Sequence, residues 1–239
     1  MTEKGLTAYD VAGHYDRRYF QDLAQRYRAR NRFARQRIAN VFSLLPDVRG
    51  ARLLDVGCGM GTFTVEAARR GAASAMGVDF APEAVATARE VAAAEGVRGA
   101  TFVEGDATAL PLPPESLDVV LAADVTEHLD DATLAAVLAE ARRVLRPGGT
   151  LVLYTPEASH IFERLRNLGA MRQDPSHIGI RSAGELAGVV RRAGLDVTRT
   201  AWLPSHLPGW NLLERAFARW VPLLRRRIGI VARKPGLGG

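Results

Sequence analysis

The sequence predicts an α/β fold, a doubly wound and mostly parallel sheet with helices on both faces, and three observations lead there. Short apolar runs at 51–56, 74–79, 100–104, 117–123 and 149–155 alternate with helical stretches at 60–70, 81–95 and 130–146, the βαβ rhythm of a parallel sheet. The first run breaks into glycines at 57, 59 and 61, a strand, turn and helix start that brings backbone N–H groups close to a ligand. A chain of 239 residues with 47% hydrophobic content suffices for one such domain with terminal additions, and is too short for two full ones.

Each element has its own signal. Residues 20–45 set Leu23, Tyr27, Phe33, Ile38, Val41 and Phe42 among arginines, which predicts one or two amphipathic helices before the first strand. Pro82 marks the start of the helix at 81–95, and Pro147-Gly148-Gly149 marks the end of the one at 130–146. Ser182, with Glu185 three residues on, predicts a capping box opening a helix at 182–193, and a strand comes next at 195–202. Within 203–226, Trp210, Leu213, Phe217, Trp220 and Leu224 fall on one helical face, with Glu214, Arg215 and Arg219 opposite. That insertion reads either as an interfacial membrane helix or as a helix packing its apolar face on the site rim or a dimer partner. The run IGIVARK supplies a last strand, and the tail 235–239 is expected to be disordered. The chain thus divides into a helical cap at 1–48, a domain at 49–234 and the tail.

The net charge of +6 is unevenly spread, with +5 on residues 1–50, +7 on 199–239 and −6 between them. Basic flanks invite a nucleic-acid or anionic-membrane reading, set against the plainer one of a solvated arginine-rich surface. The single cysteine, Cys58, lies inside the glycine turn and reads as a small buried residue, so no disulfide framework exists. The start MTEKGLTAYD is polar, and no run approaches the roughly 20 apolar residues of a membrane span, so a cytoplasmic protein is expected.

The glycine spacing is GxGxG with Thr62 in the sixth place, unlike the GxGxxG of a dinucleotide fold, so the ends of the next strands decide which ligand the turn suits. The second strand ends in Asp79 and Phe80, and the third in Asp106. Two acids at successive strand ends suit a ligand with a ribose diol and an adenine amino group, because one carboxylate accepts both hydroxyl hydrogens of a diol.

With LLDVGCGMG, GVDF, GDATALPLPPESLDVVLAADVTEHL and LRPGGTLVL in that order, the chain resembles the class I S-adenosylmethionine (SAM) dependent methyltransferases over roughly residues 50–200. Within them, EHL after the fourth strand and DPSHIGIRSAGEL before the last helix look most like the small-molecule branch that includes the ubiquinone-biosynthesis methyltransferases. The resemblance implies a Rossmann-like sheet with an antiparallel last strand, N-terminal helices over the cofactor, and SAM converted to S-adenosylhomocysteine. It also implies site residues. Gly57, Cys58, Gly59 and Gly61 would hold the methionine end, with Asp55 anchoring the turn and the amino group; Asp79 would bind the ribose, Phe80 lie on the adenine, and Asp106 with Ala107 face its edge. Asp124 would stand near the transferred methyl.

A phenolic acceptor benefits from a base with a pKa near the working pH, so the histidines are the first candidates. His177 lies in the variable segment facing the acceptor, whereas His128 comes after Glu127 in a motif shared by relatives with different acceptors and reads as structural. His160 lies close enough to the fifth strand to face the pocket, and His14 and His206 are harder to place. Tyr15 and Tyr19 read as lid residues or as packing under the helix. No metal constellation is expected, since EH lacks a second histidine at helical spacing. AADV stands where base-directed nucleic-acid methyltransferases carry an NPPY-type tetrapeptide, which weighs against a nucleic-acid substrate. The expected activity is methylation of a small molecule, foremost at the oxygen of a phenolic, polyketide or quinone-like compound. The alternatives are N- or C-methylation of a sugar or lipid at a membrane surface, or a non-catalytic SAM-binding or nucleic-acid-binding protein.

Overall fold

In the computed structural model, which describes residues 17–172 and 176–236, seven strands form one sheet in the order β3-β2-β1-β4-β5-β7-β6. The elements run α1 (Arg17–Arg28), α2 (Arg32–Phe42), β1 (Arg52–Val56), α3 (Thr62–Arg69), β2 (Ser74–Asp79), α4 (Pro82–Ala94), β3 (Ala100–Glu104), β4 (Leu117–Ala123), α5 (Asp131–Val144) and β5 (Leu145–Pro156). They continue with α6 (Ile161–Asn167), α7 (Ala183–Arg192), β6 (Asp196–Leu203), α8 (Trp210–Phe217) and β7 (Arg227–Arg233). Strands β1 to β5 pair in parallel, and β7 runs antiparallel to both its neighbours, β5 and β6. The strand order reverses between β1 and β4, and a ligand crevice opens at such a switch point, beyond the carboxyl ends of the strands.

Alternating side chains of the sheet feed two apolar layers. Leu54, Val56, Val120, Ala122, Leu151 and Leu153 pack with α5 and α7, while Leu121, Ala123, Val152 and Tyr154 join Tyr27, Ile38, Val41, Phe63, Val85 and Val91 from α1 to α4. The cap is therefore part of the second layer. Gly229 of β7 lets α2 and the turn after it sit close, because a Cβ there would lie 2.4 Å from Leu44 Cδ1.

The boundaries agree with the sequence pattern at most elements, including Pro82 in the first turn of α4 and the reciprocal Ser182–Glu185 capping box of α7. Three differences are informative. Pro147-Gly148-Gly149 does not end a helix; α5 stops at Val144 and the three residues lie inside β5, where a register shift against β4 accommodates them. Helix α6 is unannounced by periodicity, and His160 caps it by accepting a hydrogen bond from the Phe162 N–H at 3.2 Å.

In the 203–226 insertion, the helix is only eight residues long and leads into a short 3-10 turn at Pro222–Leu224. Arg215 and Arg219 are exposed, as the wheel expects, and the departure lies at Glu214. Glu214, expected on the wet face, is 2% exposed and accepts from the Ser205 N–H, whereas Leu212, Leu213, Phe217 and Trp220 are exposed. A hydrogen bond from the incoming loop draws Glu214 inward, while the apolar side chains stay on the surface. Residues 237–239 of the tail lie outside the described residues, as do His14 and Tyr15. No described helix is long and apolar enough to cross a membrane.

Candidate functional site

The turn after β1 places Gly57, Gly59 and Gly61 at φ of 63°, 53° and 80°, a left-handed path that side chains with a Cβ rarely take. The three glycines serve different ends. A Cβ at 57 would lie 2.5 Å from Val125 and one at 61 would lie 2.7 Å from Phe102, so these two permit close packing. At 59 a Cβ would meet only Phe20 of α1, at 3.8 Å, which leaves room for a ligand between the turn and the cap. Cys58 turns its buried side chain inward toward Gly77 of β2, and burial pushes its thiol up, so it packs rather than reacts.

Asp79 at the end of β2 closes the turn. Its Oδ2 accepts from the Gly59 N–H at 2.8 Å and its Oδ1 from the Ala81 N–H at 3.0 Å, and a carboxylate with about four lone-pair sites keeps capacity for a further donor. Burial raises this carboxyl, opposed by the backbone N–H groups of Ala81, Gly59 and Phe80. Phe80 beside it is exposed, and β3 pairs Glu104 with Asp79 so that Asp106 lies beyond it on the same edge. Asp106 is exposed and accepts from the Thr108 N–H at 2.8 Å, with Ala107 partly packed on the core. Asp55 lies deeper: it is 1% exposed, its Oδ2 accepts from the Thr64 hydroxyl at 2.9 Å, and burial drives its pKa up to about 7. It ties β1 to α3 beneath the turn.

Beyond β4, Asp124 takes a left-handed φ of 58° and its N–H donates to Tyr154 O at 2.7 Å. Arg37 of α2 donates to Oδ2 at 2.6 Å, and Arg227 of β7 donates to Oδ1 at 2.5 Å. Burial alone would raise the Asp124 carboxyl, yet the two guanidinium groups outweigh it and hold it below the usual range. Arg37 also lies over Phe63, with its guanidinium 4.6 Å from the ring centre. Glu127 is buried, accepts from the Thr155 hydroxyl at 2.9 Å and stands 3.9 Å from Arg227; burial and the neighbouring Asp124 raise its pKa. Asn40 of the cap bridges the Tyr154 hydroxyl and Pro204 O.

The segment after β5 folds back on this corner. Arg181 donates to Thr126 O and Leu129 O, both at 3.0 Å, and the Gly179 N–H donates to Glu127 O at 2.8 Å. This brings His177 against His128, ring centres 5.0 Å apart, and the His128 Nδ1 lies 3.0 Å from Ser176 O. A carbonyl only accepts, so Nδ1 carries the hydrogen and Nε2 holds the lone pair in the neutral ring. Glu127, His128 and His177 offer ligand atoms within 4.8 Å of one another, a set suited to a borderline cation such as zinc. Spacing did not announce this trio because His177 arrives from a distant segment. His160 and His206 stand apart: the first is buried as the α6 cap, and the second meets Phe33 edge-on at 4.9 Å.

Sequence reasoning missed Arg37, Asn40, Arg181 and Arg227. Nothing distinguishes Arg37 or Arg227 among the other arginines of their segments, since what selects them is the strand order that brings α2 and β7 to the end of β4.

Residues 53–149 match the family described as a methyltransferase domain. A ubiquinone biosynthesis O-methyltransferase of Neisseria meningitidis serogroup C (strain 053442) is 33% identical over 172 residues, covering 67% of this chain and 70% of the relative. The chain belongs to the class I SAM-dependent methyltransferases. A further relative of this methyltransferase is the 27-O-demethylrifamycin SV methyltransferase of Amycolatopsis mediterranei (strain S699), 32% identical over 73% of this chain and 65% of the relative. The fold is also that of a SAM-dependent methyltransferase from Mesorhizobium loti, with a TM-score of 0.60 and 21% identity over 81% of this chain and 95% of that one.

SAM is accordingly the cofactor of this methyltransferase, and the turn fits it, with open room above Gly59 and unspent acceptor capacity on Asp79. Two outcomes are expected. Asp79→Ala weakens SAM binding tenfold or more in calorimetry, the scale of lost hydrogen bonds to a charged group, about 1.5 to 3 kcal/mol. Asp55 has a folded pKa raised above its unfolded value, so its contribution is full below about pH 4 and is lost as pH rises through about 7. The Asp55→Asn protein, melted without ligand, should therefore gain on the parent between pH 4 and 7, by on the order of a few kcal/mol, and hold a constant lead above.

Proposed function

We infer that this methyltransferase methylates an oxygen of a small phenolic, polyketide or quinone-like acceptor, with His177 taking the acceptor's proton. The observation that carries this reading is the pair of imidazoles, His128 and His177, the first of which acts electrostatically on Asp124 at the end of β4. The names of the Neisseria and Amycolatopsis relatives, both O-methyltransferases, support oxygen as the methylated atom.

Bound SAM supplies an electrophilic methyl group for an in-line displacement. The protein's work is then positioning, exclusion of water and removal of one proton. An imidazole serves that last task because it is the side chain whose charge change lies nearest neutral pH. Asp124 is ill suited to it: held below the usual carboxylate range by two arginines, it is a weak base. We assign it the role of fixing the β4 end against the cap and β7. His128, tied to Ser176 O, orients the segment that carries His177. The backbone of Gly57, Cys58, Gly59 and Gly61 is assigned to the methionine end of SAM, with Asp55 anchoring the turn from beneath, Asp79 to its ribose, and Phe80, Asp106 and Ala107 to its adenine.

A specific observation favours peripheral membrane contact. Leu212 and Trp220 are 67% and 70% exposed, Leu213, Phe217 and Val221 are exposed with them, and Arg215 and Arg219 are interspersed. Apolar side chains with arginines between them suit an anionic lipid surface.

His177→Ala is expected to lower kcat/KM by about 10² to 10⁴ and to remove the acid limb of its pH profile, with SAM affinity unchanged. A variant that keeps the acid limb would sink the base assignment, and loss of the parent's activity on chelation would hand the Glu127–His128–His177 cluster to a metal instead. For the membrane reading, the protein should float with anionic vesicles and release with salt, and a Leu212→Ser/Trp220→Ser double variant should stay in solution. Equal flotation of parent and variant would discard it.

A further inference from the structure

A base that takes a proton in the transition state needs its backbone held as well as its ring, because a misplacement of about 1 Å can cost on the order of 10² in rate. Residues 176–181 carry His177 and belong to neither helix nor strand, so their path is set by what they dock on. They dock on the turn at 126–129 through bonds running both ways: the Gly179 N–H donates to Glu127 O at 2.8 Å, and His128 Nδ1 meets Ser176 O at 3.0 Å. At the far end, the Ala183 N–H donates to Oε2 of buried Glu157 at 3.1 Å and ties the segment to the start of α7.

Two residues make that docking close. A Cβ at Gly179 would overlap the Leu129 carbonyl oxygen and lie 2.8 Å from Arg181 Nη1, so any side chain there lifts the segment off the turn. Gly179 is not among the left-handed glycines, and closeness rather than backbone freedom is what the position demands. Arg181 spends all five of its N–H donors. Nε and one Nη2 hydrogen go to Asp131 Oδ1 at 3.1 and 2.6 Å, and the other Nη2 hydrogen goes to Leu129 O at 3.0 Å. Nη1 serves Thr126 O at 3.0 Å and Gly179 O at 2.7 Å. The arginine side chain is 11% exposed and that of Asp131 89%, so the guanidinium is wedged between turn and segment while its counter-ion stands in water. A lysine would keep the charge and lose the fork that reaches carbonyls on both sides.

We propose that Gly179 and Arg181 are positioning residues of the methyl-transfer step, acting through His177 by holding its imidazole against that of His128. The proposal rests on the reading above in which His177 takes the acceptor's proton. Gly179 has no side chain, and Arg181 has no donor left for a ligand, so each acts on the reaction only through what it holds. The state of His128 reports the docking. Its Nδ1 keeps the hydrogen while Ser176 O is there to accept it; with the segment lifted, the neutral ring shifts toward the Nε2–H form.

The test uses the full chain, with S-adenosylhomocysteine bound for imidazole ¹H–¹⁵N spectra and with methyl-labelled SAM and catechol for turnover. At a pH where His128 is neutral, the parent should show it as the Nδ1–H tautomer. Gly179→Ala and Arg181→Lys should lose that signature and lower kcat at least tenfold, with SAM affinity within twofold. Gly184→Ala in α7, where a Cβ meets nothing within 4 Å, should alter none of these. In a His177→Ala background the same two substitutions should cost less than twofold, because a residue that acts through His177 then has nothing to act through. Costs that persist in that background, or a Gly179→Ala protein with the parent's tautomer and kcat, would overturn the proposal. A His177→Ala protein as fast as the parent would overturn the base reading instead, a result distinct from both. A parent that moves no label to catechol counts against the phenolic reading, and the tautomer spectra then decide the positioning: lost in both variants, it stands, and kept in both, it falls.

Discussion

Asp124, held between Arg37 and Arg227, is the constraint on which the rest of the site depends. The three residues come from the end of the central strand, the helical cap and the last strand, regions that only the finished sheet brings together. Each of the three side chains is only about one-fifth exposed, so removing one partner would leave the others poorly solvated and incompletely neutralised. The cluster therefore specifies the position of the cap as well as stabilising it. With α2 pinned, α1 lies over the glycine turn through Phe20, and the turn in its place receives Asp79 from β2.

Around that anchor the site separates two tasks. On one side of the switch point, backbone N–H groups and Asp79 present unspent hydrogen-bonding capacity at the ends of β1 and β2, the half we assign to SAM. On the other, the 176–181 segment brings the imidazoles of His128 and His177 together and is held there by Arg181 and Gly179. Asp55 serves the first half from below, joining β1 to α3 through Thr64.

The fold and the geometry of the glycine turn were legible in the sequence because both are written locally. Strand-ending acids, glycines at fixed offsets, Pro82 and the Ser182–Glu185 box each act over a few residues, and the alternation of apolar runs fixes the sheet. The acceptor half was not, since its chemistry is assembled from residues far apart. Arg37 and Arg227 carry no local mark, and His177 meets Glu127 and His128 only because Gly179 and Arg181 bind backbone carbonyls of the 126–129 turn. The α8 wheel misplaced Glu214 for a related reason: it is drawn inward by the Ser205 N–H, a partner on the incoming loop that periodicity cannot see. Pro147-Gly148-Gly149 misled because glycines that end helices also serve in a strand whose pairing shifts register.

The place of β7 has a consequence for how the molecule is made. It is last in sequence yet lies inside the sheet, between β5 and β6. While the chain is being synthesised, β6 has no neighbour to pair with and Asp124 has no Arg227, so the nascent protein carries an open sheet edge and a half-neutralised acid until residues 227–233 leave the ribosome. Closure of the sheet and completion of the site are then one event, and the 203–226 insertion, already outside, is the tether whose length allows the strand to turn back and enter.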